Sequence, residues 1–195
     1  MLQEVVTTDL EQVPGFDVFT NMDAETRNGT AIMVRNGIDV ENIKTLTDGR
    51  GIAIKIAETQ VVNIYAPSGT ENKRTRSQFF NEDMCGLLPH NNSNVVLGGD
   101  FNCVSAPEEQ VPVLNLCMDL QELLRKLKLD DSWRVLYPDT TEFTYYHNHG
   151  RSRLDRIYVT RELAASVSHV EVCPVIFSYH CAYKCKLQLA KRKIP

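Results

Sequence analysis

Asn94-Val95-Val96-Leu97-Gly98-Gly99-Asp100-Phe101-Asn102 is the stretch on which the reading of this chain turns. Asn94–Leu97 is short, apolar after its first residue, and preceded by the polar break Asn91-Asn92-Ser93. That is the profile of a central strand whose C-terminal end carries a functional loop. Gly98 and Gly99 would let the chain turn sharply and let a ligand approach the backbone. Asp100 and Asn102 stand two apart, so in an extended stretch both side chains point to one side. A carboxylate beside an amide suits attack on phosphorus: the first orients or deprotonates water, and the second holds a phosphoryl oxygen without adding negative charge. An Asx turn closing a strand accounts for the same residues, so this stretch alone leaves both readings open.

Working outward, short apolar segments recur between turns. Thr30–Val34, entered through the Asn28-Gly29 turn pair, Gly51–Ile56 with Ile52, Ile54 and Ile56 on one face, and Gln60–Ala66 read as a meander of neighbouring antiparallel strands. Lys73–Leu88 changes period, with Phe79, Phe80, Met84, Leu87 and Leu88 at helical spacing, and Leu114–Leu129 reads as a second helix. Thr141–Tyr146, Arg153–Val159, Val167–Val172 and Ala182–Leu189 read as later strands, with a loop at Pro174–His180. Alternating strands and helices followed by several strands predict an α/β domain of two packed sheets flanked by helices. With no internal repeat and no linker rich in Gly or Pro, residues 1–195 read as a single domain.

The net charge of −4 speaks against a non-specific nucleic-acid sponge, but not against an enzyme that meets phosphate through a metal. None of the six cysteines forms a CxxC pair, so buried free thiols in a reducing compartment are expected. There is neither an apolar run long enough to span a membrane nor a signal or transit segment at the start. The expectation is an intracellular monomer, nuclear or cytoplasmic, away from membranes.

Other residues attract notice singly. Asp155 lies inside the otherwise apolar run Arg153-Leu154-Asp155-Arg156-Ile157-Tyr158-Val159, where a carboxylate needs a partner. Arg153 or Arg156 would be a structural partner; a histidine or asparagine would make it part of a site. Tyr65 closes its strand before Pro67, as a core aromatic or as a phenol aimed at a phosphate oxygen. Glu4 ends the first apparent strand, either as surface charge or as a ligand for a hard cation. His180 sits in a loop between apolar segments.

Together these stretches resemble the endonuclease/exonuclease/phosphatase superfamily, and especially the apurinic-type endonuclease domains of non-LTR (LINE-type) retrotransposons. The resemblance is carried, in family order, by Leu2-Gln3-Glu4, Asn28-Gly29-Thr30-Ala31, Asn63-Ile64-Tyr65-Ala66-Pro67, Gly98–Asn102, Phe143-Thr144-Tyr145, Ser152–Tyr158 and Phe177-Ser178-Tyr179-His180. It implies a four-layer α/β sandwich of DNase I type, with two mostly antiparallel sheets. It implies Mg²⁺, with Mn²⁺ as an alternative, held at Glu4. Tyr65 would stand near the scissile phosphate, Asp100 would align or activate water, and Asn102 would assist at the phosphate. Thr144 would lie near the substrate surface, Asp155 would shape the site, and His180 would stabilise charge on the phosphorane. DNA is the implied ancestral substrate.

Two departures from the family pattern stand out. The strand carrying an asparagine that precedes Gln3-Glu4 in the family is absent, so the chain reads as N-terminally truncated, with an apolar patch expected near Leu2–Val6. Tyr179 stands where the family has aspartate. The expectation is therefore weak or lost phosphodiester hydrolysis. The alternatives are a non-catalytic, decayed retroelement domain, and a phosphoesterase acting on a nucleotide or lipid phosphate.

Overall fold

The computed structural model describes residues 1–6, 13–23, 25, 28–89, 93–112 and 115–188. The first strands are β1 (Leu2–Val5), β2 (Phe16–Asn21), β3 (Gly29–Arg35), β4 (Glu41–Thr45), β5 (Gly51–Ile56) and β6 (Thr59–Tyr65). Helix α1 (Lys73–Asn81) and a 3₁₀ turn (Asp83–Gly86) lead to β7 (Asn94–Asp100). After β8 (Gln110–Val111) come α2 (Met118–Leu127), β9 (Leu129–Asp131) and α3 (Ser132–Leu136). The chain closes with β10 (Tyr145–His147), β11 (Gly150–Ser152), β12 (Asp155–Thr160), α4 (Arg161–Ala164), β13 (Val167–Cys173) and β14 (Ala182–Leu187).

One layer is a six-stranded sheet in the order β4-β5-β6-β7-β12-β9. The layer above holds the β1-β3-β2 sheet, over β5, β6 and β7, and the β13-β14 pair, whose β14 packs over β12. Ile32 and Val34 of β3 meet Ile52 and Ile54 of β5 between these layers. On the opposite face Ala53, Val62, Ile64 and Leu97 pack under Phe79 and Phe80 of α1 and Leu120 and Leu123 of α2. This is the α/β sandwich of two sheet layers flanked by helices that the sequence predicted. A third small sheet, β10-β11-β8, stands at the rim.

The meander reading needs correction. β5 and β6 do pair antiparallel, but β3 belongs to the other layer, and β6 runs parallel to β7 through the α1 crossover. Both faces of β5 are buried, so its alternation marks two different cores rather than one face toward water. Gly29 opens β3 instead of making a turn, because a Cβ there would lie 2.0 Å from the Val5 carbonyl oxygen across the β1–β3 pair. α2 begins only at Met118, since Cys117 N–H bonds to the Val104 carbonyl in extended chain. Likewise α1 stops at Asn81, and the strand expected at Thr141–Tyr146 is Tyr145–His147. Asn91, Asn92, Leu114 and Leu189, which the sequence reading placed in elements or breaks, lie outside the described residues. β2 and β4 escaped the sequence reading because both are edge strands, half-buried or exposed along their length, with no apolar period to see.

All six cysteines are free thiols, but only Cys103 and Cys117 are buried; Cys85 is exposed and the other three are half-buried. Among the described residues no helix is long and apolar enough to cross a membrane.

Candidate active site

Three strands bring their ends to one place. The parallel register sets Tyr65 of β6 beside Asp100 of β7, and the antiparallel register sets Asp100 opposite Asp155 of β12. Gly99 permits this approach: it sits at φ 139°, and a Cβ there would fall 2.0 Å from the Ile64 carbonyl oxygen. The glycine pair therefore lies within β7 and makes no sharp turn. Phe101 then points into the helix-side core, stacked on Phe80 and edge-on to Tyr158, which anchors the loop.

Asn102 is not extended either. It adopts φ 49°, its N–H donates to Asp100 Oδ1 at 2.9 Å, and its Nδ2 donates to the Ala66 carbonyl at 2.8 Å. This is an Asx-type turn that fixes the Asp100 carboxylate and ties the ends of β6 and β7 together.

His180 arrives from the other layer, through a bridge to Tyr145. Its Nδ1 lies 2.8 Å from Asp155 Oδ2. Arg153 and Arg156 are not the partners of Asp155. They are buried with Glu109, and Arg153 also pairs with Asp131. The carboxylate inside an apolar strand is thus explained by a histidine. Thr144 is fully buried beneath, its hydroxyl accepting the N–H groups of Leu154 and Asp155, each at 2.9 Å. It holds the start of β12 in place from below.

Glu4 reaches the cleft through a bulge in β1 at φ 56°, a left-handed conformation unusual for a non-glycine residue. Tyr65 donates to Glu4 Oε1 at 2.7 Å. The sequence reading missed what supports this strand: buried Asn63 donates to the carbonyls of Leu2 and Ala31 and accepts from Gln3 Nε2 at 2.6 Å. An asparagine inside the apolar run of β6 was the available signal.

Glu4, Tyr65, Asp100, Asp155 and His180 line one cleft of about 390 Å³. Asn102 and Thr144 are not in its lining. Burial, followed by the neighbouring Asp155 charge, pushes the Asp100 carboxyl well above the usual range, against the opposing pull of His180. Burial disfavours charge on His180, but its hydrogen bond to Asp155 and the charges of Asp155, Asp100 and Glu4 outweigh that and raise it. Burial and the Glu4 bond raise Tyr65, which stays a protonated donor. Donor atoms of Asp100, Asp155 and His180 lie within 4.8 Å of one another, a candidate divalent-metal cluster. The set fits such an ion: crowded carboxylates in a buried wall are short of positive charge, and hard oxygen donors suit Mg²⁺.

Tyr179 departs from the expected picture. A phenol at this position brings no carboxylate to the imidazole of His180. Asp155 supplies one instead, its Oδ2 lying 2.8 Å from His180 Nδ1. Tyr179 itself is exposed and borders a neighbouring hollow of about 270 Å³ with Glu142 and Tyr146.

Fold and site together define a metal-dependent phosphoesterase-like domain. The chain belongs to the Endonuclease/Exonuclease/phosphatase family, whose model matches residues 1–180. It is 28% identical over 166 residues to the Transposon TX1 uncharacterized 149 kDa protein of Xenopus laevis, covering 78% of this chain and only 12% of that protein's length. Solved structures share the fold. The 3′ phosphatase NExo from Neisseria bound to product DNA hairpin has a TM-score of 0.75 at 22% identity, covering 93% of this chain and 85% of that one. An AP endonuclease from Archaeoglobus fulgidus has a TM-score of 0.74 at 19% identity, covering 92% and 84%.

Proposed function

We propose that this domain hydrolyses phosphodiesters in DNA with a divalent cation, at a rate reduced by the absence of a carboxylate at position 179. The observation that carries the reading is the Asp155–His180 pair at 2.8 Å beside Asp100 in one cleft. Support also comes from the DNA-bound phosphatase of like fold and from the transposon relative.

Glu4, with Asp100 and Asp155 adjacent, would hold the cation. Bound there, Mg²⁺ or Mn²⁺ would supply positive charge against the phosphoryl oxygens. Asp100, whose carboxylate is fixed by the Asn102 N–H and lines the cleft, accepts the proton of the attacking water. Asp155 holds His180 by Nδ1, which leaves Nε2–H of the charged ring to donate to a phosphoryl oxygen as charge builds up. Tyr65 presents a phenol O–H at the same wall. Asn102 acts by fixing Asp100, and Thr144 by fixing Asp155.

The test is plasmid nicking in Mg²⁺ by the unmodified chain, Tyr179→Asp and Asp100→Ala. Weak nicking that Tyr179→Asp raises at least about tenfold and Asp100→Ala abolishes is the expected result. Brisk nicking by the unmodified chain would overturn the reduced-activity reading. No nicking by either the chain or Tyr179→Asp would overturn the phosphodiesterase reading and favour a non-catalytic domain.

A further inference from the structure

The turn between β13 and β14 exposes large apolar side chains where turn tips usually carry polar ones. Ile176 is 103% exposed, Phe177 88% and Tyr179 73%. Neighbouring apolar groups left in water at a single tip mark a contact surface. This tip sits on the rim of the candidate active site: Phe177 and Ser178 line the same cleft as Asp100, Asp155 and His180. The three residue steps from Phe177 to His180 span at most about 10 Å of chain.

The tip is also framed by groups suited to phosphates. Tyr146 N–H bonds to the Tyr179 carbonyl at 3.0 Å, so the turn abuts the β10–β11 hairpin. That hairpin exposes Tyr146, His147, His149 and Arg151, with Arg151 stacked on Phe143. A chain whose phosphate enters the cleft therefore brings its neighbouring bases against an apolar tip flanked by cationic or chargeable side chains.

We propose that Ile176 and Phe177 form an apolar wedge that enters duplex DNA between base pairs, within about three nucleotides of the phosphate bound in the cleft. The proposal rests on the phosphodiesterase reading for the placement of that phosphate. The wedge would partially unstack one base step and bend the duplex toward the site, and so serve recognition rather than chemistry.

The test uses duplex oligonucleotides with 2-aminopurine at successive positions, with Ca²⁺ in place of Mg²⁺ so that strands stay intact. A rise in 2-aminopurine fluorescence at one step is expected on binding. The pair of substitutions Ile176→Ser and Phe177→Ser should abolish that rise and weaken duplex binding about tenfold. Both positions are exposed, so folding should survive, and Phe177→Trp gives an independent check. It should keep the 2-aminopurine signal, and its own emission should be quenched by stacking on bases. Duplex binding without any 2-aminopurine rise, or a rise unchanged in the double variant, would overturn the wedge. So would binding to phosphatidylserine vesicles that needs Ile176 and Phe177 while duplex binding does not. Mg²⁺-dependent plasmid nicking together with a silent probe would sink the wedge alone. A responsive probe with no nicking by any variant would sink the phosphodiesterase reading and leave the wedge standing.

Discussion

Glu4 sits at φ 56° in the bulge of β1, and this backbone strain is what aims its carboxylate at the cleft. A non-glycine residue in that conformation costs on the order of 1 kcal/mol. Glu4→Gly relieves that strain but frees the unfolded chain and strips Tyr65 of its acceptor, so the unfolding free energy should move by no more than about 1 kcal/mol in urea, while Mn²⁺ binding followed by calorimetry weakens. A variant that is less stable and binds Mn²⁺ normally would remove Glu4 from the cation site. Asp155→Asn tests the neighbouring contact. It keeps the shape and removes the negative charge that orients and stabilises the His180 imidazolium. Nicking should fall by roughly 10²–10⁴-fold, as when a histidine loses its carboxylate partner, with the unfolding midpoint little changed. An undiminished rate would show that the pair is structural.

At the scale of elements, β12 is held by charged groups that are buried, apart from a half-buried Asp131. Glu109 lies between Arg153 and Arg156, and Asp131 of β9 completes the cluster. Burial alone would raise the Glu109 carboxyl, but the two guanidinium groups and the hydrogen bonds from Ser105 hold it down to about 2, against an ordinary 4.5. A depressed folded-state value means stability that is fully present above pH 4.5 and lost as pH falls toward 2. Glu109→Ala should cost about 3–5 kcal/mol at neutral pH, because it leaves two buried cations short of a partner, and should flatten this acid limb of the stability curve. Thr144→Val strands the N–H groups of Leu154 and Asp155, and each orphaned donor costs about 1–3 kcal/mol. The nicking rate should fall with it, since those donors set where β12 begins. Full stability in Thr144→Val would mean that water replaces the hydroxyl.

Across the whole molecule, β1 and β14 each pair on one side only among the described residues, and both border the cleft. Leu2 and Val6 are exposed near that edge. Unpaired edges with apolar neighbours invite association. Val6→Lys should lower the sedimenting aggregate at high protein concentration and change unfolding free energy by no more than about 0.5 kcal/mol. Aggregation that is indifferent to this change would place the sticky surface elsewhere, with the Ile176–Phe177 tip the next to test.

The amino-acid pattern alone located the core strand β7, β6 beside it and β5 beyond β6, the two main helices, and the family. It did so because buried elements repeat their apolar residues at the period of their geometry, and because Gly98–Asn102 and Arg153–Val159 are dictated by close approach and by buried polar chemistry. It also singled out Glu4, Tyr65, Asp100, Asp155 and His180, one residue at a time. Their relations exist only in the folded chain. The Asp155–His180 bond joins residues 25 apart in sequence, and the Tyr65–Glu4 bond joins residues 61 apart. No local pattern encodes such pairs, since they depend on which strands neighbour each other and in what register. For the same reason the bonds of Asn102 to Asp100 and Ala66, and of Thr144 to the start of β12, had no local signal, and edge strands β2 and β4 went unseen. An edge strand or a supporting hydroxyl has no periodicity of its own, and its role exists only once the layers have packed.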